Sequence, residues 1–122
     1  MKEQLISFET AKLAKEKGFD EKCLFFYTGD SKELKQINLK GISNSDTISF
    51  CSAPTQSLLA KWLREKHEID ILVQRSFSNG IKTYILTPCF DKPIPKGYES
   101  VEKNNYEEAL EIALFKSLKY II

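Results

Sequence analysis

Four basic side chains in two neighbouring segments form the group in this chain best suited to binding a ligand. They are Lys61, Arg64, Arg75 and Lys82. The first two fall in a predicted helix over residues 54–67, and the others in a predicted hairpin over residues 69–88. Cationic side chains neutralise nucleic-acid phosphates, and polar residues at a helix start can meet base edges. The order is that of a recognition helix followed by a wing, so the group predicts a nucleic-acid surface.

Two features weigh against this interpretation. The 18 Lys and Arg residues are balanced by 17 Asp and Glu, and a formal net charge of +1 provides no long-range field to attract nucleic acid. The short helix that should precede a recognition helix is also missing from the sequence before residue 54. Nucleic-acid binding is therefore the alternative hypothesis.

The remaining reactive residues do not have the spacing of a catalytic or metal site. His67 is the single histidine and falls at a predicted helix end, where we expect a cation that is favourable to the helix dipole. Cys23, Cys51 and Cys89 lack Cys-x-x-Cys spacing and lie in apolar, strand-like runs, which predicts small buried thiols in a reducing compartment. The five glycines form no phosphate-binding loop. We expect no enzymatic activity, no metal site and no cofactor.

The helix over residues 54–67 has an apolar face. Pro54 suits its first turn, and Ser52 or Thr55 can cap it. At about 100° per residue, four large side chains share one arc of the helix. They are Leu58, Leu59, Trp62 and Leu63. This pattern is typical of a helix packed against a core.

The pair Asn79-Gly80 separates two alternating apolar segments and is the strongest hairpin signal in the chain. A two-residue turn at this pair would fix the register of both strands. The expected partners are Val73 with Leu86 and Arg75 with Tyr84. We expect Pro88 to end the second strand.

Other segments carry weaker signals. Ser7 and Gly18 can bound a helix over residues 8–17. The aromatic run 22–28 predicts a central strand, against which residues 34–40 would pair as a more exposed strand. We further expect turns at 29–31 and 43–46, a short strand at 47–51 and a loop at 91–97.

A final helix over residues 106–120 is predicted from the capping pair Asn105 and Glu108. Its main apolar stripe is expected to face the core, and contains Ala109, Leu110, Ala113, Leu114, Leu118 and Ile121. Ile112 and Phe115 project to the opposite side. A second apolar face on a terminal helix is covered either by the chain itself or by another chain. We therefore predict a protein interface formed by Ile112, Phe115 and Ile122.

The 122 residues fit one domain, residues 1–122, because single cores usually hold about 100 to 200 residues. The elements do not alternate regularly between strand and helix. This order favours an α+β fold, in which a small, mainly antiparallel sheet packs against about three helices. The sequence has neither a secretory signal nor a run of about 18 apolar residues, which predicts a cytoplasmic protein without membrane contact.

Three stretches of the chain also resemble a known set of proteins. The most specific is Ala-Pro-Thr-Gln-Ser-Leu-Leu-Ala-Lys-Trp-Leu-Arg-Glu over residues 53–65, accompanied by 6–20 and 106–110. Together these stretches resemble small uncharacterised proteins encoded by bacteriophages and prophages of gut bacteria. The resemblance implies a phage origin and a bacterial cytoplasmic setting, and it supplies no catalytic residues.

The sequence thus leads to two hypotheses. The first is a small non-enzymatic phage protein that acts through protein contacts, either as a homo-oligomer or by docking on a partner. The second is a nucleic-acid-binding module that uses the 54–67 helix and the 69–88 hairpin.

Overall fold

The computed structural model describes residues 4–28, 33–36, 43–44, 50–90 and 100–121. Its elements are α1 (Phe8–Glu16), β1 (Phe25–Thr28), β2 (Leu34–Gln36), β3 (Phe50–Ser52), α2 (Gln56–His67), β4 (Ile69–Ser78), β5 (Ile81–Phe90), β6 (Val101–Lys103) and α3 (Tyr106–Lys119). The strands form two antiparallel sheets, ordered β2-β1-β3 and β4-β5-β6. This arrangement confirms the predicted α+β class with antiparallel pairing and helices.

The chain divides into two compact units, Met1–Leu59 and Ala60–Ile122, and the division falls inside α2. The first unit contains α1 and the β2-β1-β3 sheet. The second contains α3 and the β4-β5-β6 sheet. The expectation of a single domain stays a prediction.

In the first unit, α1 has both of its predicted ends. The Thr10 N–H donates to Ser7 Oγ at 3.4 Å, which satisfies one of the free donors at the helix start. Gly18 adopts a φ of 97°, and the Phe19 N–H then donates back to the Ala14 carbonyl at 2.9 Å. This is the Schellman ending that the glycine predicted.

The first sheet is built around β1, which is central as expected. β2 pairs along one side of it, with all three of its residues exposed, while β3 pairs along the other. The buried Asn44 side chain ties this sheet to the chain after α1, because its Nδ2 donates to the Phe19 carbonyl at 2.7 Å and its Oδ1 accepts from the Ser52 N–H at 2.9 Å. A buried amide with both ends bonded avoids the cost of an unpaired polar group.

In the second unit, the hairpin of β4 and β5 has the predicted register. Asn79 and Gly80 form the turn with φ angles of 53° and 77°, the left-handed values that a type I′ turn requires. The two predicted cross-strand pairs are confirmed, Val73 with Leu86 and Arg75 with Tyr84.

The prediction that Pro88 ends the second strand is wrong, because β5 continues through Pro88, paired with Ile71, to Phe90. In a hairpin with a two-residue turn, the pair flanking the turn exchanges hydrogen bonds, and every second pair beyond it does so. By this alternation Pro88 occupies a non-hydrogen-bonded position. Its missing N–H is therefore not needed by β4. Among the described residues β6 pairs with β5 only as far as Leu86, so β6 does not need that N–H either.

Helix α3 packs on β5 and β6, where Leu86 and Val101 are buried. Its N-terminus is capped as predicted, since the Glu108 N–H donates to Asn105 Oδ1 at 3.0 Å. All six residues of the predicted stripe are buried. Buried Ser117, which the apolar pattern did not include, donates to the Ala113 carbonyl at 2.8 Å.

Helix α2 begins at Gln56, and Thr55 is its cap, accepting the Leu58 N–H at 3.1 Å. Pro54 lies before the helix rather than in its first turn as expected. Leu59, Trp62 and Leu63 are buried. None of the helices in the described residues is long and apolar enough to cross a membrane.

Several predictions fall outside the described residues and stay predictions. They concern the turns at 29–31 and 45–46, the strand residues 37–40 and 47–49, the loop at 91–97, and the side chain of Ile122.

Candidate functional site

The hairpin of β4 and β5 exposes several large apolar side chains. Phe77 is 70% exposed, Leu72 58%, Ile81 55% and Val73 41%. Single exposed apolar residues are ordinary on a protein, but a group on one element marks a contact surface. These four residues are called the hairpin surface below.

The hairpin surface wraps both sides of the two-stranded ribbon. Side chains alternate along a strand, so Val73 and Phe77 lie on the face that carries Leu86, while Leu72 and Ile81 lie on the other. Among the described residues β6 pairs with β5 at Tyr84–Leu86, and the ribbon continues beyond this segment toward the turn. In the described part of the chain, no third strand pairs with the outer part of the hairpin.

Strand β4 also presents an edge. Within the described chain it pairs only with β5, and its middle residues 72–75 are all exposed. By the alternation of hydrogen bonds in the hairpin, the backbone groups of Val73, Arg75 and Phe77 point away from β5. An exposed edge that carries apolar side chains such as Leu72 and Val73 can serve as a template for pairing with another strand.

Sequence reasoning placed these strands but missed the surface. The signal was present at Leu72, which alternates with Asp70 and Gln74 and so shares their polar face. Phe77 and Ile81 lie near the turn, outside the segment that β6 pairs with among the described residues, and the local sequence pattern does not contain that information.

Two of the four predicted basic residues come together on the hairpin. Arg75 lies opposite Tyr84, which lies opposite Lys103 on β6, and Phe77 lies opposite Lys82. Directly opposed residues share a face, and Arg75 and Phe77 share one because they are two residues apart on β4. All five therefore form one basic and aromatic group on a single side of the sheet. These five residues are called the basic–aromatic row below. Lys82 Nζ lies 5.4 Å from the Tyr84 ring centroid.

The other two predicted basic residues, Lys61 and Arg64, are exposed on α2. Lys61 Nζ lies 4.0 Å from Glu65 Oε1, a surface pair one helical turn apart that contributes little stability. No described hydrogen bond or ion pair joins either residue to Arg75 or Lys82. Lys61 and Arg64 thus lie on α2, whereas Arg75 and Lys82 lie on the hairpin.

The predicted interface on α3 is less exposed than the hairpin surface. Ile112 and Phe115 are half-buried, and Lys119 Nζ lies 4.7 Å from the centroid of the Phe115 ring. The ammonium group and its alkyl stem therefore cover part of that ring.

The cysteines divide into two environments. Cys23 and Cys51 are buried as expected, whereas the prediction of a buried Cys89 is wrong, since it lies on the exposed face of β5. Burial raises the pKa of the Cys23 thiol to about 11, although a hydrogen bond with Ser52 lowers it. Burial also raises the pKa of Cys51, against the opposing effect of nearby lysines. Neither buried thiol is an activated nucleophile.

His67 is packed rather than charged. Its ring lies edge-on to Trp62 with centroids 4.7 Å apart, and burial lowers its pKa from the usual 6.5. The predicted role as a cation at the helix end is wrong for neutral pH, because desolvation favours the uncharged ring. In the part of the chain that the structure describes, no group of three or more His, Cys, Asp or Glu residues could hold a metal ion.

No family model, curated protein or solved structure matches this chain. The geometry itself offers two candidate surfaces on one sheet. They are the hairpin surface, with the free edge of β4, and the basic–aromatic row.

Proposed function

We propose that this chain is a small, non-enzymatic cytoplasmic protein of the phage or prophage type that acts through protein contacts, and that its contact region is the hairpin surface. The observation that carries the proposal is the exposure of Leu72, Val73, Phe77 and Ile81 on one hairpin. Burying a side chain of this size contributes roughly 1.5 to 3 kcal/mol, so a partner covering several of them gains a substantial favourable term.

The edge of β4 gives that contact a geometry. A strand added along Val73, Arg75 and Phe77 would satisfy outward-pointing backbone groups, and side chains from both faces of the hairpin would pack beside it. A second copy of this chain is the simplest partner, because two β4 strands can pair antiparallel about a two-fold axis. A register that places Arg75 of one copy opposite Arg75 of the other is disfavoured, because like charges repel. We therefore expect a register in which the two β4 strands are displaced along each other.

The test is the molar mass of the purified protein from light scattering at tens of micromolar. We expect a dimer for the parent chain and a monomer for Phe77→Asp, because the variant loses the most exposed apolar side chain of the hairpin and burying its carboxylate, even opposite Lys82, removes charged groups from water. Leu34→Asp is the matched control: Leu34 is 45% exposed and lies on β2, in the other sheet. A parent chain that stays monomeric, or a dimer that Phe77→Asp leaves intact, would contradict self-association.

A second function, nucleic-acid binding, is supported by the basic–aromatic row. Single-stranded nucleic acids bind surfaces on which cations follow the phosphates and aromatic rings stack on bases. Arg75, Lys82 and Lys103 supply the cations, and Phe77 and Tyr84 supply the rings. Lys103 is partly neutralised, since its Nζ lies 4.0 Å from Glu108 Oε1.

Fluorescence anisotropy of a labelled oligothymidine, measured at low and near-physiological salt, tests this second function. Binding through the row should weaken steeply with salt and should be lost in the double variant Arg75→Gln, Lys82→Gln. The double variant Lys61→Gln, Arg64→Gln removes the same charge from α2 and should bind as the parent does. Equal losses in the two variants would show a dependence on net charge alone and would exclude the row as the site.

A further inference from the structure

The first unit contains an apolar groove that neither proposed function uses. It has a volume of about 660 Å³, and its largest walls are Leu5, Leu24, Phe25 and Leu58. Small-molecule sites typically have volumes of about 300 to 1,000 Å³ and are lined mainly by apolar side chains. In size and lining the groove resembles such a site.

Backbone pairing fixes the walls of the groove. The Ala53 N–H donates to the Phe25 carbonyl at 2.9 Å, the Ile6 N–H donates to the Pro54 carbonyl at 3.0 Å, and Leu5 and Thr55 form an antiparallel bridge. These bonds occupy polar groups of the surrounding chain and hold its segments in place. The groove is therefore preformed, which lowers the entropy cost of binding.

The described lining of the groove carries a positive charge. Lys22 is the single charged side chain among the described residues that line it. The Cys23 thiol also lines the groove and is neutral near pH 7, because burial raises its pKa to about 11. Among the described lining residues a ligand thus meets an apolar wall and one ammonium group, while the Glu21 carboxylate, whose charge acts on the Cys23 thiol, is not among them.

We infer that this groove binds a small amphiphile with an apolar chain and a single carboxylate, the chain packing against Leu24, Phe25 and Leu58 and the carboxylate pairing with Lys22. Charge complementarity selects the anion over a cation of the same chain length. The apolar lining selects against ligands with several polar groups, because each would lose water without gaining a partner. This inference does not depend on the hairpin contacts.

The experiment is titration of the full chain with decanoate, decanol and decyltrimethylammonium, followed by amide chemical-shift changes. The two ionic amphiphiles are kept below their micelle concentrations, and decanol is kept below its solubility limit. We expect decanoate to bind most tightly and the shifts to cluster in residues 22–25 and 53–58. Lys22→Gln should raise the decanoate Kd about three- to fivefold, as for a partly exposed ion pair, and leave the decanol Kd unchanged. Lys12→Gln removes an exposed lysine from α1 and is the charge control.

Leu24→Glu tests the apolar wall. Leu24 is 49% exposed, so the variant should fold, but its carboxylate would lie in the groove and should abolish decanoate binding. Leu34→Glu is the matched control, being 45% exposed and outside the groove lining. Equal affinity for the three ligands, shifts located elsewhere, no binding at all, or decanoate binding that survives Leu24→Glu would each overturn the inference.

Discussion

At the scale of single residues, burial shifts the pKa values of two thiols and of the histidine toward the uncharged forms. The pKa of Cys23 rises to about 11 and that of Cys51 also rises, so both thiols are protonated at neutral pH. The pKa of His67 falls, so its ring is neutral. In each case desolvation is the largest cause, and it disfavours the charged form.

The lowered pKa of His67 should make the protein less stable in mild acid. Below about pH 6.5 the unfolded chain takes up a proton on this ring, whereas the folded chain does so only at lower pH. Protons bound preferentially by the unfolded state reduce the free energy of unfolding as the pH falls through this window, and the stability is fully present above it. His67→Gln should remove this part of the pH dependence.

Urea unfolding of parent and His67→Gln chains at several values between pH 5 and pH 8 measures the effect. The difference in unfolding free energy between the two proteins should favour the parent more at pH 8 than at pH 5. The other ionisable groups are present in both proteins, so their contributions to the pH dependence cancel in this difference. A difference that is constant with pH, or that grows toward acid, would show that the folded state does not lower this pKa.

The exposure of Cys89 could not be predicted from its residue type. The run Leu-Thr-Pro-Cys-Phe over residues 86–90 is apolar, which suggested burial for every member. Because β5 continues through Pro88, Cys89 alternates with it and lies opposite exposed Asp70 on β4. The exposure of Cys89 thus depends on which face of β5 the residue lies on. That face could not be assigned from the sequence, because the strand was predicted to end at Pro88.

At the scale of elements, short-range signals were the reliable ones. Ser7, Gly18 and Asn105 act through hydrogen bonds or backbone angles within a few residues, and the structure confirms all three. Asn79-Gly80 likewise fixed the register of ten cross-strand pairs. Pro88 was misjudged because a proline disrupts a strand only where its N–H is needed, which depends on partners outside the local sequence.

The Asn105 cap should make a measurable contribution to the second unit. Asn105→Ala removes the acceptor for the Glu108 N–H at the start of α3, and a lost cap of this kind costs about 1 kcal/mol of stability. Denaturant unfolding gives the change in free energy. Asn104→Ala alters a neighbouring exposed asparagine that does not cap the helix and should change stability by less than about 0.5 kcal/mol. Equal losses in both variants would mean that the cap contributes nothing specific.

At the scale of the whole molecule, the division into two sheets could not be predicted from the sequence. Strand order depends on pairings between distant segments, and each alternating run is compatible with several neighbours. The α+β class was predictable because the order of helices and strands excludes regular parallel crossovers. The groove was not, because its walls at Leu5, Phe25 and Leu58 come from segments brought together by the fold.

The single-domain expectation predicts that the two units unfold together. Asn44→Ala removes the two side-chain hydrogen bonds that join the Phe19 carbonyl to the Ser52 N–H in the first unit, at a cost of about 3 kcal/mol. If folding is cooperative over the whole chain, hydrogen exchange should then quicken in β5 as well as in α1, because the protection of both depends on one global opening. Exchange measured by mass spectrometry under native conditions separates the outcomes. Faster exchange confined to residues 1–59 would mean that the second unit keeps its own stability, and the chain would be two folding units joined through α2.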